Sequence, residues 1–331
     1  MRKKVFKLLI VCLLGLSFGG CLASRPTIAY TVYPIEFLLL RIGGDRIDIV
    51  QVGDDTMVLR SQLVNDWQEV IRDADVFMHL GRLEPYIQVF SQEISATRTP
   101  VVDLAARNSI FLFERFEFVE INDTTIGVSS RYYDHPIFDT IDMFTFDPHL
   151  WMDPMSFLGV AEQITEWLIA SVPEEAAFFR NNLEELTLEL TRLDVELHAF
   201  RRNNMEIAFV SMTPSFGIWQ HNYGFRVYPV VLSQFGVLPS DAQLELIKQR
   251  IVNDGVRVIV REPNLPDDLL ALMYYLATEL ELEIVTMHNI SSLTTEQRLA
   301  GADYIQLMRE NLRSLEDIAL MVDHDAEYDY E

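Results

Sequence analysis

The chain has 331 residues, is 49% hydrophobic, and sets 50 acidic against 26 basic residues for a formal net charge of −24. An acid excess of this size repels nucleic acid and anionic lipid headgroups and mildly concentrates cations, so nucleic-acid binding is set aside as a function. The length and apolar content suffice for two cored domains, and with Cys12 and Cys21 as the only cysteines there is no disulfide framework.

The chain opens with Arg2, Lys3, Lys4 and Lys7, followed by an almost wholly apolar run from Leu8 to Gly20. That run is too short to span a bilayer as a helix, and the pattern predicts a secretory signal peptide over residues 1–20. Its end, Leu16-Ser17-Phe18-Gly19-Gly20-Cys21, is similar to a bacterial lipobox, with Phe18 a departure from it. The similarity implies lipid attachment at Cys21 and a mature protein without free thiolate ligands.

Short β-branched or apolar runs then alternate with helical patterns. Thr27 to Val32, Arg46 to Val52, Ala74 to Leu80 and Pro100 to Leu104 read as strands separated by helices, the rhythm of a parallel α/β sheet. Asn108 to Phe146 is aromatic and acidic without a clean period and reads as a loop or hairpin insertion. Pro173, Glu174 and Glu175 suit a helix start. From there Leu183, Leu186, Leu190, Leu193, Leu197 and Phe200 recur at spacings of three and four. Residues 174–203 as one helix would extend roughly 45 Å at about 1.5 Å per residue, longer than one lobe requires. The alternation resumes with strands at Glu206 to Met212, Phe225 to Leu232, Val256 to Arg261 and Glu283 to Met287, and helices near 240–253, 265–280 and 300–321. The predicted fold is therefore α/β: two parallel-sheet α/β lobes joined by one long rigid helix. Its expected divisions are a signal peptide (1–20), an N-terminal lobe (21–172), the connecting helix (173–203), a C-terminal lobe (204–322) and a solvated acidic tail (323–331).

One segment stands out chemically. Asp147-Pro148-His149-Leu150-Trp151-Met152-Asp153-Pro154 holds a histidine between two prolines and two carboxylates. Each proline fixes its own φ and biases the preceding aspartate toward extended backbone, so His149 sits on a stiff loop that loses little entropy when an ion binds. The other histidines read differently: His79 as a strand-end residue, His135 and His198 as solvated, and His221 as a helix C-terminal residue favoured by the dipole.

The Asp147–Pro154 run resembles the D-P-H-x-W-x-D-P signature of the solute-binding lipoproteins of zinc and manganese ABC transporters. Tyr33-Pro34, Ile42-Gly43-Gly44-Asp45, Ala74-Asp75-Val76, Gly81 to Pro85, Asn181-Asn182-Leu183 and Tyr304 to Leu312 are similar to further landmarks in the same order. The resemblance covers nearly all of residues 26–322. It implies a ligand cleft between the lobes, where four side chains, two from each lobe, meet the ion. At the position of the first, a histidine, stands Met57. The second is retained as His149. Thr213 occupies the place of the third, a histidine or glutamate, and His288 that of the fourth, an aspartate. Asp54, Asp55 and Glu262 are candidates to support them.

A zinc site wants about four imidazole, carboxylate or thiolate ligands, and Mn²⁺ wants carboxylate oxygens. Met57, His149, Thr213 and His288 include no carboxylate, which leaves three readings open. The two imidazoles hold Zn²⁺ with Asp54, Asp55, Glu262 or water; the imidazoles and a thioether hold a softer ion such as Cu⁺; or the chain has lost tight metal binding and takes a metal chelate or another partner. The function implied is an extracytoplasmic substrate-binding lipoprotein, anchored to the bacterial cell membrane, that captures a divalent cation and delivers it to an ABC permease driven by a cytoplasmic ATPase. A surface interaction protein on the same scaffold is the competing class. Neither a P-loop nor an H-E-x-x-H run occurs, and the chain reads as a binding protein rather than an enzyme.

Overall fold

The computed structural model describes residues 25–54, 57–122, 124–203 and 207–328. The leader, Cys21 and Asp55 lie outside the described residues. The first half runs β1 (Thr27–Tyr30), α1 (Tyr33–Gly43), β2 (Asp48–Gln51), α2 (Trp67–Asp73), β3 (Val76–His79), α3 (Pro85–Val89), α4 (Ser91–Ala96) and β4 (Val101–Asp103). Its strands form a parallel sheet in the order β2-β1-β3-β4, in register with Ala29 between Val50 and Phe77. Pro34 in the first turn favours the start of α1, and Gly44 ends it at a φ of 55°, where its N–H closes on the Leu40 carbonyl.

The aromatic insertion contains an antiparallel hairpin, β5 (Arg115–Ile121) and β6 (Thr124–Ser130), turned at Asn122 with φ 50°. After it come α5 (Pro154–Ser171) and α6 (Ala176–Asn203), the latter preceded by a 3₁₀ turn at Pro173–Glu175. The second half is β7 (Ala208–Ser211), α7 (Ile218–Tyr223), β8 (Arg226–Pro229), α8 (Asp241–Asn253), β9 (Val258–Arg261), α9 (Asp267–Glu279), β10 (Glu283–Thr286), α10 (Thr295–Ala300) and α11 (Tyr304–Tyr328). Its parallel sheet has the order β10-β9-β7-β8. Backbone assigned to α11 extends into the segment expected to be a solvated tail.

The long helix α6 behaves as its periodicity requires. Leu186, Leu190, Leu193 and Leu197 are fully buried, and they share one continuous apolar cluster with Ile28 of β1 and Phe209 of β7. A single stripe thus packs on both lobes, which argues against independent hinging at the connection. Polar ties also cross directly. Arg60 makes a forked pair with Asp268 at 2.7 and 2.8 Å and donates to the Gly236 carbonyl at 2.9 Å, and Arg298 meets Glu36 at 3.1 Å.

His221 lies in the last turn of α7, as read, but it is packed rather than held there by its charge. Its ring is stacked between Phe111 and Phe116 at 4.3 and 4.2 Å, and burial pushes its pKa down. The hairpin supplies Phe116, a contact no local pattern announces.

Because α6 is shared by both lobes, a cavity in its stripe should weaken the whole molecule. Leu190→Ala is expected to lower unfolding stability by about 2–5 kcal/mol. Leu188→Ala, on the exposed face of the same helix, should stay within about 0.5 kcal/mol. Urea unfolding of the two variants beside the parent checks the contrast.

Candidate functional site

The two Asp-Pro steps around His149 do different local jobs. Asp147 Oδ1 accepts the His149 main-chain N–H at 3.0 Å, closing a tight turn before the histidine. Asp153 caps α5, with Oδ2 accepting the Ser156 N–H at 2.7 Å and Pro154 in the first turn. Between them Leu150–Met152 forms a 3₁₀ turn. The second half of the chain pins that turn three times: Trp151 Nε1 donates to the Asn289 carbonyl at 2.8 Å, Tyr304 Oη donates to the Trp151 carbonyl at 2.6 Å, and Trp219 Nε1 donates to the Met152 carbonyl at 2.8 Å. Asp147 reaches across as well, with its Oδ2 lying where a Cβ on residue 217 would sit, so a side chain there would make Asp147 shift.

These contacts seat His149, fully buried, against residues at the carboxyl ends of three neighbouring strands of the second sheet. Thr213 and Ser215 follow β7, Glu262 follows β9 and Asn289 follows β10. This is where parallel α/β sheets place ligands. Glu262 is the centre of the group. Its carboxylate accepts from Thr213 Oγ1 at 3.1 and 2.9 Å, from Ser215 Oγ at 2.7 Å and from Asn289 Nδ2 at 2.7 Å. Burial raises the Glu262 pKa, and the Ser215, Asn289 and Thr213 bonds pull it back.

Ser215 Oγ also lies 3.5 Å from His149 Nε2. The Thr213 and Ser215 hydroxyls also meet each other, and which atom donates between Ser215 and the imidazole follows the ring tautomer. His149 Nδ1 is buried and without a hydrogen-bond partner among the described residues. Burial lowers the His149 pKa to about 3, against the opposing pull of the Pro214 carbonyl, so the ring is neutral at physiological pH. A neutral imidazole with a free lone pair is the form that binds a metal.

Of the residues expected at the ion, the structure brings together His149, Thr213 and Glu262. Met57 is buried in an apolar cluster with Val210, Met212 and Ile259 of the second lobe, so its thioether packs at the seam between lobes. Asp54 is exposed after Gly53. His288 Nε2 lies 3.1 Å from Glu310 Oε2, and its Nδ1 is 3.0 Å from Gln297 Nε2. The neighbouring Asn289, not His288, contacts Glu262. Asn289 and Ser215 were not among the sequence candidates, because a neutral amide and a hydroxyl in loops have no motif. The one available signal was their closeness to Thr213 and His288. The group offers one imidazole lone pair, one carboxylate and neutral oxygens, and among the described residues no cluster of three or more His, Cys, Asp or Glu is arranged for a metal. That is half of the usual zinc set.

Two neighbouring groups oppose each other in pH. Burial raises the Asp147 pKa from 3.8 to about 7, partly offset by the His149 and Ile218 N–H groups. Asp147 therefore binds more protons in the folded state between about pH 4 and 7, and its contribution falls as pH rises through that window. His149, lowered from 6.5 to about 3, binds more protons unfolded, and its contribution rises with pH between about 3 and 6.5. Relative to the parent and with metal chelated, the stability of His149→Gln should decline as pH rises from 3 to 6.5. That of Asp147→Asn should climb from 4 to 7. Urea midpoints across this range test both signs.

A family model described as zinc-uptake complex component A, periplasmic, matches residues 28–318. The zinc-binding protein AdcA of Streptococcus pyogenes is 22% identical over 333 residues, covering 95% of this chain and 61% of that protein. This chain therefore spans about three fifths of the length of that relative. The high-affinity zinc uptake system protein ZnuA of Bacillus subtilis is 23% identical, covering 88% of this chain and 86% of that protein. Zn(II)-bound AdcA from Streptococcus pneumoniae superposes with a TM-score of 0.67 at 19% identity, covering 89% of this chain and 58% of that chain. The ZnuA-like domain of the same protein gives 0.66 at 20% identity, covering 89% and 99%. With a family match over most of its length and the same two-lobed fold as solved metal-binding proteins, the chain belongs to the family of periplasmic component A of zinc-uptake complexes, a family of binding proteins rather than enzymes.

Proposed function

We propose that this chain is the extracytoplasmic solute-binding component of an ABC transporter of the zinc-uptake type, taking a divalent cation at the interlobe group and handing it to a membrane permease. The observation that carries the reading is His149: a buried, neutral imidazole whose Nε2 lies 3.5 Å from Ser215, itself bonded to the Glu262 carboxylate, and whose Nδ1 has no partner among the described residues. Supporting it are the family match and the relatives named as zinc-binding. In this reading zinc is the cargo, His149 through the Nε2 that faces Ser215 and Glu262 are its strongly basic and charged ligands, and the Thr213 and Ser215 hydroxyls with solvent complete the shell. His288 joins only if it leaves Glu310. Signal cleavage before Cys21 and acylation of that cysteine would tether the protein beside its permease, and the residues that carry this part lie outside the described structure.

One observation favours a second reading. The Glu262 oxygens are already held by Thr213, Ser215 and Asn289, so a cation must displace donors to reach the carboxylate. A site closed in this way is also what a family member without tight metal binding would show, with a chelated metal or another ligand as cargo.

Competition titration against a zinc chelator separates the two. The first reading expects one zinc per chain, weakened at least about a hundredfold by His149→Ala and by Glu262→Gln, with His288→Ala near the parent value. Absence of zinc binding at micromolar metal in a folded protein would establish the second reading instead.

A further inference from the structure

The hairpin of β5 and β6 stands apart from both parallel sheets and has two unlike faces. One face is anchored. Phe116 stacks on His221 and Phe118 lies against Gly224. Gly127 lies beneath the Phe116 ring, where a Cβ would come within 2.4 Å of it. The opposite face is held at its base, where Arg115 pairs with Glu117 and meets Asp254 at 3.5 Å, and is bare beyond that. Val119 and Ile126 are directly paired across the strands, and with Ile121 and Val128 they leave between 38% and 51% of their surface exposed. An isolated two-stranded ribbon is marginal in water, so anchoring one face serves to present the other in a fixed shape.

The outer edge of β6 is open as well. The sheet contains only β5 and β6, and all seven residues of β6 are exposed. Edges of this kind are ordinarily blunted by Lys, Pro, a bulge or a covering loop. β6 has none of these: Thr124-Thr125-Ile126-Gly127-Val128-Ser129-Ser130 carries no charge and pairs with β5 in unbroken register. In a chain of net charge −24, an uncharged strand is where two copies meet with least repulsion.

The order of side chains in β6 identifies the occupant. It is a chemical palindrome about Gly127: hydroxyl, hydroxyl, aliphatic, glycine, aliphatic, hydroxyl, hydroxyl. We propose that β6 is a homodimerisation edge, pairing antiparallel with β6 of a second copy about a two-fold axis at Gly127. In that register Ile126 faces Val128 of the second copy, Thr125 faces its Ser129 and Thr124 faces its Ser130, so every opposed pair is like with like. Opposed aliphatic and Thr–Ser pairs are favourable cross-strand neighbours, and no like charges are opposed within the strand. The product is a four-stranded sheet, β5-β6-β6-β5, whose bare face joins the two aliphatic patches. Gly127, without a side chain, lets the strands close at the axis.

Sedimentation equilibrium of the full chain tests the proposal. The parent should show a reversible monomer–dimer equilibrium that tightens as salt rises, because screening relieves repulsion between two acidic bodies. Ile126→Lys and Val128→Glu should each weaken the dimer by about tenfold, with far-UV circular dichroism unchanged. Combining both substitutions in one chain should restore association, since the introduced lysine of each copy then faces the introduced glutamate of the other. A parent that stays monomeric to millimolar concentration overturns the proposal and leaves the face to another partner. A dimer indifferent to both single variants, or not restored in the double variant, overturns it equally.

Discussion

The rest of the structure depends on how the turn at Leu150–Met152 is held. Trp151 and Met152 come from the first half of the chain, yet their polar atoms are satisfied by Asn289, Tyr304 and Trp219 of the second. All three bonds are buried, and a lost partner would leave an unsatisfied group in a low-dielectric interior. The lobes are thus fastened at the very segment that carries His149. Together with the shared stripe of α6, this makes the seam between lobes part of the core and not a solvent-filled gap.

Within that seam the chemistry is set by burial more than by charge. Glu262 and His149 are both held away from water, and both are driven toward their neutral forms. For Glu262 three donors compensate; for His149 Nδ1 nothing does. An unpartnered buried nitrogen is a standing cost, and buried polar groups in native proteins are rarely left so without reason. A cation held between the imidazole Nε2 and Glu262 would justify the Glu262 charge. The site makes physical sense as one end of a binding reaction, even though its ligand set is thinner than the four strong ligands that zinc favours.

Much of the architecture was legible in the chain. The eight strands of the two parallel sheets read as short apolar runs, because both faces of such sheets are covered. The α6 stripe announced its length and its burial. His149 was legible for a local reason: two Asp-Pro steps stiffen the backbone whatever lies around them, and the structure shows one closing a turn and the other capping α5. The hairpin was harder. Its anchored face depends on His221 and Gly224, which are distant in sequence, so residues 108–146 had no period of their own to read.

The interlobe group was only partly legible, and the division falls at a physical boundary. Residue type and local backbone bias are written in sequence, which is why His149, Thr213 and Glu262 are legible there. Direction is not. Consecutive side chains on extended backbone point to opposite sides, so His288 and Asn289 cannot both face the cleft. Asn311 makes the choice from α11, accepting the His288 N–H at 2.6 Å and donating to its carbonyl at 2.8 Å. That clamp goes with His288 beside Glu310 and Asn289 beside Glu262. The sequence by itself determined the fold, the family and the one rigid ligand loop; which neighbour enters the site was decided only by tertiary contact, since it rests on where a helix more than twenty residues away comes to lie.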